Sequence, residues 1–198
     1  MSTTFNASAF AELDNITTPN LDGLEPEWEF HAADDELQEI AKYISKQTGH
    51  HDNLEPNRIK FYYTTNIQKD GGRFVLGSLA ARPAYERMLF DKYDYMLFIY
   101  YPVWRNLDTK NKVIQLDKIL CGIQLMPGKD MAELVVKKKA TDSREYLDNL
   151  HHFGNEDVLK SSEIVDMAVK QLIMDAAEKK KLDKDLKKQN KKKKGDNE

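Results

Sequence analysis

The residues best suited to metal or nucleophilic chemistry are five histidines and one cysteine, Cys121. Four of the histidines form two adjacent pairs, His50-His51 and His151-His152. Neighbouring side chains on a helix diverge by about 100°, so each pair gives one ligand to a site more easily than two. His51, His152 and a carboxylate such as Asp52 or Glu156 make one conceivable metal site, while surface histidines near element ends are the simpler reading. Cys121 lies on an apolar stretch with no histidine that the sequence places beside it. A reactive thiol needs an electropositive, partly exposed setting, so a small core residue is the plainer assignment. A single cysteine also excludes an internal disulfide and a cysteine-based zinc knuckle. Gly71-Gly72-Arg73 is too short for a phosphate loop and suits a hairpin turn. The tyrosines Tyr62, Tyr63, Tyr93, Tyr95, Tyr100 and Tyr101 straddle core and surface, where an exposed subset could anchor a partner.

The 198 residues are 40% hydrophobic and 32% charged, enough apolar material for a core. The longest apolar run, Tyr95 to Tyr101, is far shorter than the roughly 20 residues of a membrane-spanning helix. The N-terminal MSTTFNASAF lacks the basic start and apolar centre of a secretory signal. A reduced, cytoplasmic protein is expected. The net charge of −3 conceals unlike ends. Residues 1–41 hold ten acids and no Lys or Arg, whereas residues 178–198 hold ten Lys and five acids. Solvated termini explain this most simply. A phosphate-holding role for Lys191, Lys192, Lys193 and Lys194 is the other reading, without interleaved aromatics for base stacking.

Periodicity supplies the elements that would position these groups. Residues 1–32 form an acidic leader with scattered apolar residues. Asp34 or Asp35 can cap a helix with Leu37, Ile40, Ala41 and Ile44 on one face, ended by Gly49. Ile59, Phe61 and Tyr63 alternate as a half-buried strand, expected to pair in a hairpin with a strand over Arg73–Gly77. A short helix is expected over Ala84–Phe90. Asp94–Tyr101 reads as a central strand covered on both faces. Asp108 caps a helix running to about Leu125, stopped by Pro127-Gly128. A weak strand covers Glu133–Lys139, and a helix begins near Asp142 and ends at Gly154. Ser161 or Ser162 opens a last helix whose Lys-rich continuation frays. The organisation is a leader (1–32), an α+β domain (33–177) with a small sheet against several helices, and a tail (178–198).

The pieces Arg58–Thr64, Gly72–Leu79, Tyr93–Trp104, Lys112–Ile123 and Thr141–Gly154 resemble, in order and kind, the zincin-type metallopeptidases carried by phages, distant relatives of the SprT-like group. That family's helix reads apolar-apolar-x-His-Glu-Leu-Cys-His. Here the stretch is Gln115-Leu116-Asp117-Lys118-Ile119-Leu120-Cys121-Gly122. The resemblance puts Lys118 and Gly122 at the two ligand positions, Ile119 at the general base, and Thr141 at a third ligand. Two His at i and i+4 would share a face around zinc, with Glu activating the bound water; these four residues cannot. A Gly inside a helix costs about 1 kcal/mol relative to Ala, so a vacated ligand position would account for Gly122.

The expectation is therefore a pseudoenzyme: a zincin-like scaffold with no cofactor and no catalytic residue, phage-encoded, acting in the host cytoplasm on a host or phage protein. The run Leu24–Phe30, with Glu25, Glu27, Trp28, Glu29 and Phe30, is the candidate contact, unless it docks on its own domain. A hydrolase with relocated ligands and an electrostatic binder of nucleic acid, or of a basic nucleic-acid-binding protein, are the alternatives.

Overall fold

The computed structural model describes residues 10, 13, 15–21, 30–47, 51, 54–70, 73–83, 93–127, 134–138 and 147–195. Its elements run β1 (Phe30–Ala32), α1 (Asp34–Lys46), β2 (Ile59–Thr64), β3 (Gln68–Asp70), β4 (Arg73–Val75), β5 (Gly77–Ala81), β6 (Tyr95–Tyr100), α2 (Tyr101–Trp104), α3 (Thr109–Leu120), β7 (Ile123–Pro127), β8 (Leu134–Lys138), α4 (Leu147–Phe153) and α5 (Asn155–Gly195). The architecture is α+β. The main sheet has the order β1-β2-β6-β5, and two hairpins, β3-β4 and β7-β8, stand beside it. The short helix expected over Ala84–Phe90 lies outside the described residues. No helix, among the described residues, is long and apolar enough to cross a membrane.

Alternation builds the sheet's buried face. Ile59, Phe61 and Tyr63 of β2 lie opposite Tyr95, Leu97 and Ile99 of β6 in a parallel register, and all six are buried. The expected hairpin between β2 and the strand over Arg73–Gly77 does not form. β4 pairs with the short β3 instead, and β5 runs antiparallel to β6. β6 is central, as its apolar run demands, but only one of its faces is core; Met96 and Phe98 on the other are half-buried. There the rings of Phe98 and Tyr62 stack at 5.5 Å, with Phe30 at 5.2 Å from Phe98.

The apolar stripe Leu37, Ile40, Ala41 and Ile44 of α1 is buried. Asp34 is the first helical residue rather than the cap, which is Ala33 without a side-chain bond. α1 ends at Lys46, before Gly49. α3 buries Val113, Ile114, Leu116 and Leu120. It ends at Leu120, not near Leu125, because the chain turns into β7 at Ile123. Gly122 therefore sits outside the helix, its N–H bonded to Ile119 O at 3.0 Å, and the helical cost argued for it does not arise. β8 fulfils the strand expected near Glu133–Lys139. At Gly77 of β5 a Cβ would lie 2.6 Å from Phe98 O and 2.7 Å from Ile119 Cδ1, so only glycine lets β5 close against β6 and α3.

Gly154 adopts φ 83 and ends α4, as its position suggested. α5 then starts at Asn155, earlier than Ser161, and continues to Gly195 instead of fraying. The stretch has neither Gly nor Pro between its ends and is rich in Lys, Leu, Ala and Glu, all strong helix formers. β1 lies within the first 32 residues, and α5 crosses residue 178 without a break.

A buried carboxylate ties the leader to this frame. Glu36 accepts hydrogen bonds from Thr18 Oγ1 (2.7 Å), Trp104 Nε1 (3.1 Å), Lys112 Nζ (2.8 Å) and the Tyr63 hydroxyl. Lys112 also reaches Thr18 and lies 5.6 Å from the Trp104 ring centroid. The Tyr101 hydroxyl accepts from Leu21 N–H (2.9 Å) and donates to Pro19 O (2.8 Å). Phe10, Leu13 and Leu21 are buried in the same core. These leader residues thus dock on their own domain.

Candidate metal centre

Asp108 fixes the start of α3, its Oδ1 accepting from Asn111 N–H at 2.7 Å. That phase places Asp117 four residues before Cys121, which still has helical backbone angles and bonds its N–H to Asp117 O at 2.8 Å. Residues four apart share a helix face. α4 presents Asn149 and His152, three apart, towards the same point, and Gly154 ends that helix immediately after. His51 arrives from the segment following α1 with φ 52, the one described non-glycine residue with positive φ. Its carbonyl accepts from Leu54 N–H at 2.7 Å. A non-glycine residue held there is worth about 1–3 kcal/mol of local strain, which the surroundings must impose.

These segments converge on Asp117, whose side chain is fully buried. His51 Nε2 lies 2.8 Å from Oδ1, and His152 Nδ1 lies 3.0 and 2.9 Å from Oδ1 and Oδ2. Asn149 Nδ2 donates to Oδ2 at 2.7 Å and to Ile114 O at 3.2 Å. The Cys121 thiol points at Oδ2 from 3.6 Å. One ligand-type atom from each of His51, Asp117, Cys121 and His152 lies within 4.8 Å of the others. Burial opposes ionisation of Asp117, but the hydrogen bonds from His152 and His51, and their charge, outweigh it and hold the carboxyl well below its usual range.

The four residues singled out by the motif resemblance do not make this cluster. Lys118 points its Nζ at Ser162 Oγ on α5 (3.4 Å), Ile119 packs against the core beside Gly77, and Gly122 is buried beyond the helix. Thr141 lies outside the described residues, as do Glu25, Glu27, Trp28, Glu29, His50 and Asp52. Phe30 is 49% exposed on the edge strand β1. Of the histidines considered for a metal, His51 and His152 meet, while His151 is exposed. Glu156 pairs with Lys160 at 2.6 Å, so the carboxylate at the histidines is Asp117 rather than Glu156. Sequence reasoning gave Asp117 no role. Its signal was there: an acid interrupting an apolar helix face, four residues before the one cysteine.

The donor chemistry decides whether a metal suits these residues. Lys, Ile and Gly at 118, 119 and 122 offer no zinc-type set. Two imidazoles, a carboxylate and a thiolate do, and they match the nitrogen, oxygen and sulfur ligands of tetrahedral zinc. Asn149 acts behind them, orienting the carboxylate as outer partners of metal ligands do.

Neither the curated proteins nor the solved structures contain a match to this chain. A family model does match, over residues 28–177, which span the sheet, α3, α4 and the first half of α5. With three quarters of its length under that match and the order of strands and helices just described, the chain belongs to the family described as "Putative phage metallopeptidase".

Proposed function

We propose that this chain is a non-catalytic, macromolecule-binding member of its family, encoded by a phage and acting in the host cytoplasm. One observation carries the reading: the described ligand-type cluster consists of four protein donors, all nearly buried, with no second carboxylate among them. Catalytic zinc sites keep a coordination position open for water and need a base beside it, whereas four protein ligands describe a closed structural site. Lys118, beside Asp117 on α3, is directed to Ser162 Oγ on α5. A metal held here would supply cross-linking, with Asp117, Cys121, His51 and His152 as its holders. The candidate partner contact is the acidic run from Glu25 to Phe30, whose described end, Phe30, is a half-exposed aromatic on a sheet edge.

The competing reading, a hydrolase with relocated ligands, draws on the convergence of His51 and His152. Incubating the protein with zinc, cobalt or manganese and a broad set of peptide substrates separates the two. No turnover above that of a His152→Ala variant is expected. Metal-stimulated hydrolysis that disappears in that variant would overturn the non-catalytic reading.

A further inference from the structure

We propose that His51, Asp117, Cys121 and His152 bind one zinc ion as a structural clasp that joins the segment after α1 to α3 and α4. The site differs in residues and in role from the one the motif resemblance implies. It rests on the non-catalytic reading only in assigning all four donors to the ion.

Three observations support it. First, the donor atoms already crowd one point. Tetrahedral zinc, with bonds of about 2.0–2.3 Å, sets its ligand atoms about 3.3–3.8 Å apart. The present separations bracket that range, from 2.8 Å for His51–Asp117 and 3.6 Å for Cys121–Asp117 to the 4.8 Å limit of the whole group. An ion at the centre asks the shortest contacts to open by about half an ångström. Second, the charges close. A carboxylate and a thiolate cancel a divalent cation, and two neutral imidazoles complete the set, so a neutral centre occupies a buried position. Loading releases the thiol proton, and each imidazole nitrogen now donating to Asp117 gives up its proton, to solvent or to the ring's other nitrogen, before it binds the ion. Third, the surroundings suit an ion better than a closed hydrogen-bond network. Asn149 is fully buried, and its Oδ1 has no hydrogen-bond partner among the described residues. The thiol at 3.6 Å adds little as a donor, and His51 is held at an unfavourable φ to reach the cluster.

The test uses the full-length, untagged protein, stripped with chelator and titrated with zinc and then with cobalt(II). One equivalent is expected to bind. The cobalt form should show the intense visible bands of tetrahedral coordination and a near-ultraviolet thiolate charge-transfer band. Cys121→Ser should abolish the charge-transfer band, and His152→Ala should weaken binding at least about 100-fold, beyond the loss typical of an outer partner. His151→Ala, on the exposed side of α4, should bind like the parent. The wild-type titration stands even if a variant fails to fold. Absence of stoichiometric metal, or binding that ignores Cys121 and His152, would overturn the clasp and leave the non-catalytic reading untouched. Metal-dependent peptide hydrolysis by the loaded protein would instead overturn both, because it needs a coordination position that four protein ligands leave closed.

Discussion

Among the carboxylates buried in the described residues, Glu36 and Asp117 keep different company. Glu36 is surrounded by Thr18, Tyr63, Trp104 and Lys112, all proton donors in their resting states. Asp117 is surrounded by two histidines, a cysteine and Asn149. Both arrangements satisfy a buried charge, which would otherwise carry a large desolvation penalty. The first is complete as it stands and uses its bonds to hold the leader against α1 and α3. The second recruits residue types that exchange a proton for a metal. The contrast teaches that the identity of the partners, rather than the burial of the acid, separates a staple from a site.

The largest effect is expected at the staple. Glu36→Ala strands the Lys112 ammonium, and losing one member of a buried pair costs about 3–5 kcal/mol; urea unfolding measures it, with or without zinc. Next is zinc itself, which should stabilise the wild-type protein by about 2.7 kcal/mol at a free concentration one hundred times its dissociation constant. Cys121→Ser should lose most of that gain, while Glu36→Ala, if folded, should keep it.

A third difference is pH. The Tyr63 hydroxyl is pushed far above its usual range by burial, then by the Glu36 charge and the hydrogen bond to it. The folded state therefore keeps this proton longer than the unfolded one. Its contribution is complete below pH 10 and is lost as pH rises beyond it, by about 1.4 kcal/mol per pH unit. Chemical denaturation between pH 8 and about 11 checks the slope, which Tyr63→Phe should reduce. The smallest effect is at the leader. Tyr101→Phe removes the bonds to Pro19 and Leu21 and should cost about 1 kcal/mol, read as faster proteolysis within residues 1–29.

Much of the scaffold was legible in the residues. The stripe of α1, the alternation of β2, the apolar run of β6, the Asp108 cap and the stop at Gly154 are local signals, and each reports on local structure. Strand pairing is not local: β2 meets β6 across an intervening hairpin and β5, so the turn chemistry at Lys69–Gly72 pointed to the wrong partner for Arg58–Thr64. The end of α3 was misjudged because Pro127-Gly128 is a stronger stop than Gly122, although the chain turns at the weaker one. The site was half legible. His51 and His152 were named as one conceivable pair, but the acid between them depends on the phase of α3 relative to α4, which no spacing within either helix reveals. The family resemblance points to Lys118 and Gly122, each one residue beyond Asp117 and Cys121 on the face that converges.

We propose the Asp117 cluster as a metal centre and not a second staple. Native mass spectrometry of the untagged protein, purified without chelator, tests it most directly. The account predicts one zinc per chain in the wild-type protein and none in the Cys121→Ser/His152→Ala double variant. A metal-free wild-type chain that stays metal-free after incubation with zinc would contradict it.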